Sequence, residues 1–308
     1  MSRPLILATR GSNLALWQAR WVQQALHRAH PGLDVELRII KTTGDRFLDT
    51  PLPQLTGKGI FTLEIESALR SGEADLAVHS LKDLPTELPE GLALGALPTR
   101  EDPRDALVSR HGLPLAQLPP ASIVGTSSAR RTNQLAHARP DLQFAPLRGN
   151  VETRLRRLHE GHLDAIVVAA AGLIRLGLEG AISEYLSPEV CLPAAGQGVL
   201  AVEVRQDDAE LLALLVPLAN AEVTACALAE RAALRHLGGG CHAAFGVLGC
   251  VEGDRCYLEG AVVGPMGAPY FRDRVQGPRE DPELVGRTLA ERLLQAGAGA
   301  VVAPPPPE

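Results

Sequence analysis

The sequence predicts an α/β protein with two similar α/β units and a smaller α+β domain at its C-terminal end. Short apolar runs alternate with segments of helical periodicity in the first hundred residues, and this alternation restarts after the polar stretch 101–105. From Ala221 onward the pattern changes to one long helix followed by two strand-like runs. A chain of 308 residues is also too long for one ordinary core, so several domains are expected.

The first unit begins with an apolar run over 5–8 that is typical of a buried strand. The polar turn 9–13 follows, and Ser12 or Asn13 is suited to cap the next helix. That helix is predicted from apolar residues at helical spacing, namely Leu14, Trp17, Trp21, Ala25 and Leu26. The further predicted elements are a strand over 35–40, a helix over 60–70 and a strand over 74–79. This βαβαβ order indicates a mainly parallel sheet covered by helices.

The second unit repeats the pattern of strand, polar turn and helix. Its predicted strands are 123–125, 144–147 and 164–169. A further strand over 200–204 could return to the first sheet.

The C-terminal segment is predicted to form a smaller α+β domain. Its predicted elements are a helix over 221–237, strands over 245–251 and 256–263, and a helix over 282–295. The proline-rich end, 303–308, is expected to be a disordered tail.

Composition narrows the class of protein. The net charge of −6 does not indicate a nucleic-acid-binding surface, and no apolar stretch is long enough to predict a membrane span. The N-terminus lacks the apolar core of a secretion signal, so a cytoplasmic protein is expected. None of the five cysteines forms a C-x-x-C pair, which argues against a disulfide framework and a zinc ribbon, and no metal site is predicted.

Three turns carry hydroxyl or arginine side chains between a predicted strand and a predicted helix. They span 9–12, 127–131 and 148–150, and Arg154 and Arg175 lie early in the helical segments nearby. Ligands of open α/β sheets bind at this edge, where helix N-termini favour anions and arginine suits carboxylates. The alternative is that the hydroxyls are helix caps and the arginines are solvated, and for any single turn that alternative is favoured.

Three single residues are ambiguous on spacing alone. Asp83 follows an apolar strand and could stabilise a cation or move a proton, or it could be a helix cap. Lys58 lies between glycines in a turn that fits either a ligand loop or a plain connection. Cys241 follows three glycines, which would expose its thiol, but a silent cysteine beside a helix C-cap explains the pattern equally well. A Cys241–His242 hydrolase is disfavoured because adjacent residues rarely have the required geometry.

Six motifs, in this order, resemble the porphobilinogen deaminase family. Each is weak alone, whereas six in order are highly specific, and the similarity runs from about Leu5 to the C-terminal helix. The motifs are Ala-Thr-Arg-Gly-Ser-Asn-Leu-Ala-Leu-Trp-Gln at 8–18, Val-His-Ser-Leu-Lys-Asp-Leu-Pro at 78–85, Ile-Val-Gly-Thr-Ser-Ser-Ala-Arg-Arg at 123–131, Leu-Arg-Gly-Asn at 147–150, Leu-Pro-Ala-Ala-Gly-Gln-Gly at 192–198 and Gly-Gly-Cys at 239–241.

The resemblance implies two α/β domains like those of periplasmic binding proteins, around a cleft, with a smaller C-terminal α+β domain. The implied domains are 1–99 with 200–217, then 100–199, then 221–302. The implied activity is stepwise condensation of four porphobilinogens to hydroxymethylbilane with release of ammonia, by a monomeric enzyme of tetrapyrrole (haem) biosynthesis. The implied cofactor is a dipyrromethane joined to Cys241 through a thioether, which the enzyme builds from its own substrate.

The resemblance also implies roles for individual residues. Asp83 matches the catalytic carboxylate, and Lys58 matches a loop lysine over the cleft that contacts substrate. The residues implied to bind the cofactor are Lys82, Ser128, Arg130 and Arg131, and those implied to bind the substrate are Arg10, Ser12, Arg148, Arg154 and Arg175. An arginine-rich cleft suits this reaction because every added pyrrole brings two carboxylates.

Two features depart from the family pattern. Gln54 stands where some members have a basic residue, and Cys241 is followed by His-Ala-Ala-Phe rather than by a Gln/Val-Pro type of sequence. Neither departure touches the implied chemistry. A non-catalytic two-lobed protein that binds a small carboxylate is the competing interpretation, although such proteins are usually exported or fused to a DNA-binding domain, and neither feature is visible here.

Overall fold

The computed structural model describes residues 3–42, 62–238 and 244–302. The chain separates into two compact units, Met1–Arg100 with Val199–Thr224, and Glu101–Gly198 with Ala225–Glu308. The three-domain division implied by the resemblance stays a prediction. The predicted tail, 303–308, lies outside the described residues.

A five-stranded sheet of order β2-β1-β3-β10-β4 is the centre of the first unit. β1 pairs with β2 and β3 in parallel, whereas β10 is antiparallel to β3 and β4. Four of the five strands therefore run in the same direction and β10 runs opposite to them, so the sheet is mainly parallel. The segment after residue 199 returns to this sheet, as the sequence predicts. The strands are β1 (Leu5–Thr9), β2 (Val35–Ile39), β3 (Leu76–Ser80), β4 (Leu92–Ala96) and β10 (Leu200–Arg205), and the helices are α1 (Asn13–Ala29), α2 (Leu63–Ser71) and α6 (Ala209–Leu215).

Local chemistry explains where α1 begins and where α2 ends. Ser12 caps α1, because its hydroxyl accepts a hydrogen bond from the backbone N–H of Ala15 at 3.3 Å. Gly72 ends α2 with a left-handed φ of +76°, a conformation that glycine adopts without strain. α1 buries Val22 and Leu26 against the sheet, in one core cluster with Leu7. Burial of such an apolar stripe supplies most of the stability of a surface helix.

A second five-stranded sheet, of order β7-β6-β8-β5-β9, lies in the second unit. β6 is parallel to β7 and β8, and β5 is antiparallel to β8 and β9. The strands are β5 (Asp105–Ser109), β6 (Ile123–Gly125), β7 (Gln143–Ala145), β8 (Ala165–Ala169) and β9 (Glu184–Tyr185), and the helices are α3 (Ala129–Ala138), α4 (Val151–His159) and α5 (Ala170–Arg175). β5 was not expected from the sequence, because the polar stretch 101–105 only marks the restart of the pattern, yet its last residue already belongs to a fully buried strand.

The second unit also contains an antiparallel three-stranded sheet, β11-β12-β13, whose buried residues share one core with buried residues of the neighbouring helices. Its elements are α7 (Ala221–His236), β11 (Phe245–Glu252), β12 (Arg255–Val263), β13 (Tyr270–Pro278), α8 (Pro282–Gln295) and α9 (Gly299–Val302). Val247, Leu258 and Val285 are buried together in this core. The predicted fold class, two α/β sheets and a smaller C-terminal α+β part, is confirmed.

No single helix in the described ranges is long and apolar enough to cross a membrane, and one bent pair, 209–218 with 221–236, reaches that length and composition only when its two helices are counted together.

Candidate active site

A pocket that is open to solvent lies within the first unit. Arg10 and Ser12 reach it from the turn after β1, and Ser80 and Asp83 reach it from the end of β3. β1 and β3 are adjacent parallel strands, so their carboxyl ends meet at one edge of the sheet. The structure therefore brings together three of the predicted site residues, Arg10, Ser12 and Asp83.

The backbone around Asp83 is held by buried neighbours. Asp83 ends a single 3₁₀ turn, Leu81–Asp83, in which Leu81 is fully buried while the Asp83 side chain is exposed. Nε2 of Gln18 donates a hydrogen bond to Oγ of Ser80 at 2.8 Å, which ties α1 to the end of β3. Lys82, in the same turn, is half-buried and does not line the pocket. An exposed carboxylate on an anchored turn is suited to contact a ligand.

His79 lines the pocket and lies within the motif at 78–85, but the sequence predicted no role for it. It lines the pocket although its side chain is almost completely buried in β3. Its Nε2 lies 3.1 Å from Oε2 of Glu203 on β10, the next strand. An ionisable residue in an otherwise apolar strand was the available signal, but its partner is over a hundred residues away in the sequence.

In the second unit, Asp105 is the centre of a buried polar network. Its Oδ2 lies 2.7 Å from Nη1 of Arg130, and its Oδ1 lies 2.7 Å from Nη2 of Arg131 and 2.9 Å from Nε2 of Gln197. Burial alone would raise the pKa of the Asp105 carboxyl, but the two guanidinium groups outweigh that effect and hold it well below its usual range. Asp105 is therefore an anion that fixes two of the predicted ligand-binding arginines.

Both arginines are themselves buried and make further contacts with the protein backbone. Nη1 of Arg130 donates to the carbonyl of Leu192 at 2.6 Å, and Nη1 of Arg131 donates to the carbonyl of Val167 at 3.1 Å. Ser128 caps α3, accepting a hydrogen bond from the N–H of Arg131 at 3.4 Å. The local role that the sequence left open for Ser128 is thus present, and the cofactor-binding role of these residues stays a prediction.

The remaining predicted arginines lie around α4 and α5. Nε of Arg154 donates to the carbonyl of Gly149 at 2.8 Å. Gly149 has a φ of +110°, and a Cβ there would lie 2.7 Å from Cγ2 of Thr153, so the turn before α4 requires glycine. Nη1 of Arg148 is buried and has no hydrogen-bond partner among the described residues. A ligand carboxylate would satisfy such a donor.

Arg175 is buried at the end of α5. Its Nη2 donates to the carbonyl of Gly198 at 2.6 Å. Burial lowers the pKa of Arg175 to about 10, although Glu101 acts in the opposite direction. The side chain is therefore still a cation at neutral pH.

Two predicted site residues, Lys58 and Cys241, lie outside the described residues, as do Gln54 and His242. Among the described cysteines, Cys191 is buried with its Sγ 3.4 Å from Oδ2 of Asp105. Burial and the neighbouring carboxylate raise the pKa of the Cys191 thiol to about 12, so it stays protonated and is a poor nucleophile. The described residues include no group of three or more histidine, cysteine or acidic side chains that could hold a metal ion.

We expect Asp105→Asn to lower the free energy of unfolding by roughly 3–5 kcal/mol, because an amide would leave two buried guanidinium groups without a counter-charge. Asp141→Asn is the matched control, since the half-exposed Asp141 pairs with Arg139 at 2.7 Å near solvent and its loss should have a much smaller effect. Denaturant unfolding of both variants measures the difference. Equal losses in the two variants would show that the Asp105 network does not hold this part of the fold.

The geometry defines an α/β protein with an exposed carboxylate in a pocket of one unit and several arginines at helix ends of the other. A family model described as porphobilinogen deaminase, dipyromethane cofactor binding domain, matches residues 5–213, and one described as porphobilinogen deaminase, C-terminal domain, matches residues 224–295. The chain belongs to the porphobilinogen deaminase family. This membership confirms the predicted family, its transferase activity in tetrapyrrole biosynthesis and the dipyrromethane cofactor, and it does not favour the alternative of a non-catalytic binding protein.

Curated relatives resemble the chain over almost its full length. The porphobilinogen deaminase of Pelotomaculum thermopropionicum is 50% identical, with 98% of this chain and 97% of that protein covered. The porphobilinogen deaminase of a Roseiflexus species is 51% identical, with 98% and 100% covered. Among solved structures, the second substrate binding domain of a putative amino acid ABC transporter from Streptococcus pneumoniae is 12% identical, with 77% of this chain and 95% of that chain covered, at a TM-score of 0.44.

Proposed function

We propose that this chain condenses four porphobilinogens head to tail, releasing ammonia at each step, to give the linear tetrapyrrole hydroxymethylbilane. The observation that carries the proposal is the pocket in which Asp83 lies beside Arg10 and Ser12 at one sheet edge. The substrate has a ring that becomes cationic as ammonia leaves and two carboxylates that need cationic partners. The pocket contains a carboxylate, Asp83, that could face the cationic ring, and a guanidinium group, Arg10, that could pair with a substrate carboxylate.

Asp83 is the catalytic residue in this proposal. It is the only carboxylate among the described residues that line the pocket, and its side chain is exposed. A carboxylate there can accept hydrogen bonds from pyrrole N–H groups and stabilise the positive charge that develops at the reacting carbon. It can also accept the proton that the attacking pyrrole carbon loses when the new carbon–carbon bond forms.

The cationic residues bind the carboxylates of the ligands. Arg10 and Ser12 lie in the pocket with Asp83, which supports a role in seating the incoming porphobilinogen. Arg148 has a buried donor without a described partner, which supports a contact with a carboxylate of the growing chain. The other proposed contacts with substrate and growing chain are Lys58, Arg154 and Arg175. These groups neutralise a ligand that gains two negative charges at each step.

The donor set fits a dipyrromethane, which presents carboxylates and ring N–H groups. We propose that Lys82, Ser128, Arg130 and Arg131 hold it and that Cys241 attaches it through a thioether. When bound, the cofactor supplies the pyrrole carbon to which the first porphobilinogen is joined. Asp105 supports this role, because its contacts hold Arg130 and Arg131 in position. A covalent anchor also makes each condensation effectively intramolecular.

We infer further that the enzyme acts as a monomer in the cytoplasm, with porphobilinogen as its partner and without nucleic acid or membrane. The net charge of −6 supports the lack of a nucleic-acid partner. Gel filtration of the purified protein tests the monomer, since a single peak at twice the chain mass would contradict it.

Ammonia release from porphobilinogen by purified protein tests the proposed reaction. The proposal expects ammonia to appear with porphobilinogen consumption, and a linear tetrapyrrole to accumulate. Tight binding of porphobilinogen without ammonia release would contradict it and would return the pocket to a binding role.

We expect substitutions of different arginines to block different steps, because the arginines would contact different pyrrole rings. Arg131→Leu should give protein purified without cofactor, whereas Arg154→Leu should acquire cofactor but accumulate short covalent intermediates. Mass spectrometry after brief exposure to porphobilinogen resolves these species as a ladder of added pyrrole units. Arg156→Leu is the control, since Arg156 is exposed on the same helix as Arg154 and should give the wild-type ladder. Wild-type ladders at wild-type rates in all three variants would contradict the carboxylate-binding roles.

A further inference from the structure

Three ionisable side chains are buried next to the pocket of the first unit. Glu66 on α2 is 1% exposed, His79 on β3 is 7% exposed and Glu203 on β10 is fully buried. We call them the Glu66–His79–Glu203 cluster. None of the three has an assigned role in the proposed reaction, although His79 lies within the motif at 78–85, and buried glutamates are rare unless they are paired.

The cluster is brought together by the sheet. His79 pairs with Ala201 and Ala77 pairs with Glu203, so His79 and Glu203 lie on the same face of neighbouring strands. Nε2 of His79 lies 3.1 Å from Oε2 of Glu203, within ion-pair distance but not aligned as a hydrogen bond. Both Glu203 oxygens and Oε1 of Glu66 have no hydrogen-bond partner among the described residues. A cluster with so few partners does not favour two separate negative charges.

Two members of the pocket wall connect the cluster to the site. His79 lines the pocket, and so does Thr62, which hydrogen-bonds the Glu66 side chain. Burial raises the pKa of the Glu66 carboxyl above its usual value and the nearby Glu203 carboxylate adds to this, whereas the Thr62 hydrogen bond, His79 and Arg70 act in the opposite direction. The net effect favours the protonated form of Glu66.

Within the described parts of the chain, few other charges face Glu66. Of the strands that pack against α2, β1 and β4 contain no ionisable residue, β3 contributes His79, and β10 contributes Glu203 and Arg205. Arg205 is engaged elsewhere, with its Nη1 donating to the carbonyls of Leu69 and Ala74 and its Nη2 to Asp208. The remaining groups are on α2 itself, Glu64 and Arg70, and Arg70 is exposed.

We propose that the Glu66 carboxyl of the Glu66–His79–Glu203 cluster holds a proton beside the pocket, so that Glu66 adds no negative charge there. In this state Asp83 is the only carboxylate among the described residues that line the pocket, and Glu66 does not add to the repulsion of an incoming substrate's carboxylates. Loss of the Glu66 proton would place a second negative charge behind the wall. The cluster thus supports substrate binding through charge, and its members are not catalytic residues. This part of the inference rests on the proposed function.

The consequence is an alkaline rise in KM. As pH increases, Glu66 ionises and adds a negative charge behind the pocket wall, so porphobilinogen binds less well. The change in kcat should be smaller than the change in KM, because Asp83 is unaltered. We expect the rise to be roughly tenfold, which corresponds to an interaction of about 1.4 kcal/mol. Glu66→Gln cannot ionise and should keep KM flat over the same pH range. Glu36→Gln is the control, because Glu36 is exposed on β2 and should follow the wild type. A wild-type KM without an alkaline rise, or an equal rise in Glu66→Gln, would overturn the proposal.

Infrared spectroscopy of the wild-type protein tests the proton itself without requiring turnover. A protonated carboxylic acid has a carbonyl band separate from that of carboxylates, so wild-type protein should show this band at neutral pH and lose it as pH rises. Glu66→Gln should lack the band, and Glu36→Gln should keep it. Absence of the band in wild type at neutral pH would overturn the proposal even if ammonia release is normal. Presence of the band in a protein that releases no ammonia would instead reject the proposed function and leave the buried proton in place.

Discussion

Replacing Cys241 with serine is expected to give folded protein that carries no pyrrole adduct and releases no ammonia from porphobilinogen. A hydroxyl is a far poorer nucleophile than a thiolate, so the thioether would not form. Without that anchor, each condensation would lose the advantage of an intramolecular reaction. Intact mass before and after exposure to porphobilinogen, together with an ammonia assay, measures both effects.

Cys250→Ser is the matched control for this experiment, because Cys250 is the exposed thiol among the described cysteines. It should retain the adduct and wild-type turnover. Cys191→Ser should also retain the adduct, since burial holds the pKa of that thiol at about 12. An adduct found on Cys191, Cys226, Cys250 or Cys256 would show that the anchor is assigned to the wrong residue.

Asp83→Asn is expected to retain its cofactor but to lose turnover by roughly two to three orders of magnitude. The amide keeps the shape of the side chain while removing the charge that would stabilise the cationic transition state, and loss of one such group commonly has an effect of this size. The loss should fall on kcat rather than on KM, because the charge develops only as ammonia leaves. Steady-state kinetics of the holoenzyme measure both parameters.

The control for Asp83→Asn is Glu87→Gln, which removes a nearby exposed carboxylate outside the pocket lining. It should leave kcat within a small factor of wild type. Turnover of Asp83→Asn close to that of the control would assign Asp83 to the alternative role of a local cap.

Much of the fold follows from local signals. The cap at Ser12 and the helix after it were predictable because capping chemistry and helical spacing are read within one segment. β5 and β13 were not predicted, because β5 begins with the buried Asp105 and β13 contains Arg272, Asp273 and Arg274. Charged residues lower the apparent strand signal, yet Asp105 is paired with arginines and β13 is an edge strand with a solvated side.

Some residues of the candidate site could likewise be predicted from the sequence, and others could not. Arg10, Ser12 and Asp83 were predictable as a group because they follow neighbouring strands, and the structure places them in one pocket. The partners of Arg130 and His79 were not predictable, since Asp105 and Glu203 are distant in sequence and meet them only through the packing of each sheet. Sequence motifs thus identify the residues at the pocket more readily than the distant buried residues that contact them.

The intact mass of the purified wild-type protein, with peptide mapping of any added mass, tests the covalent anchor without any substitution. We expect a covalent dipyrromethane on the peptide that contains Cys241, extended by further pyrrole units after brief exposure to porphobilinogen. A bare polypeptide whose mass does not change on exposure to porphobilinogen would contradict it.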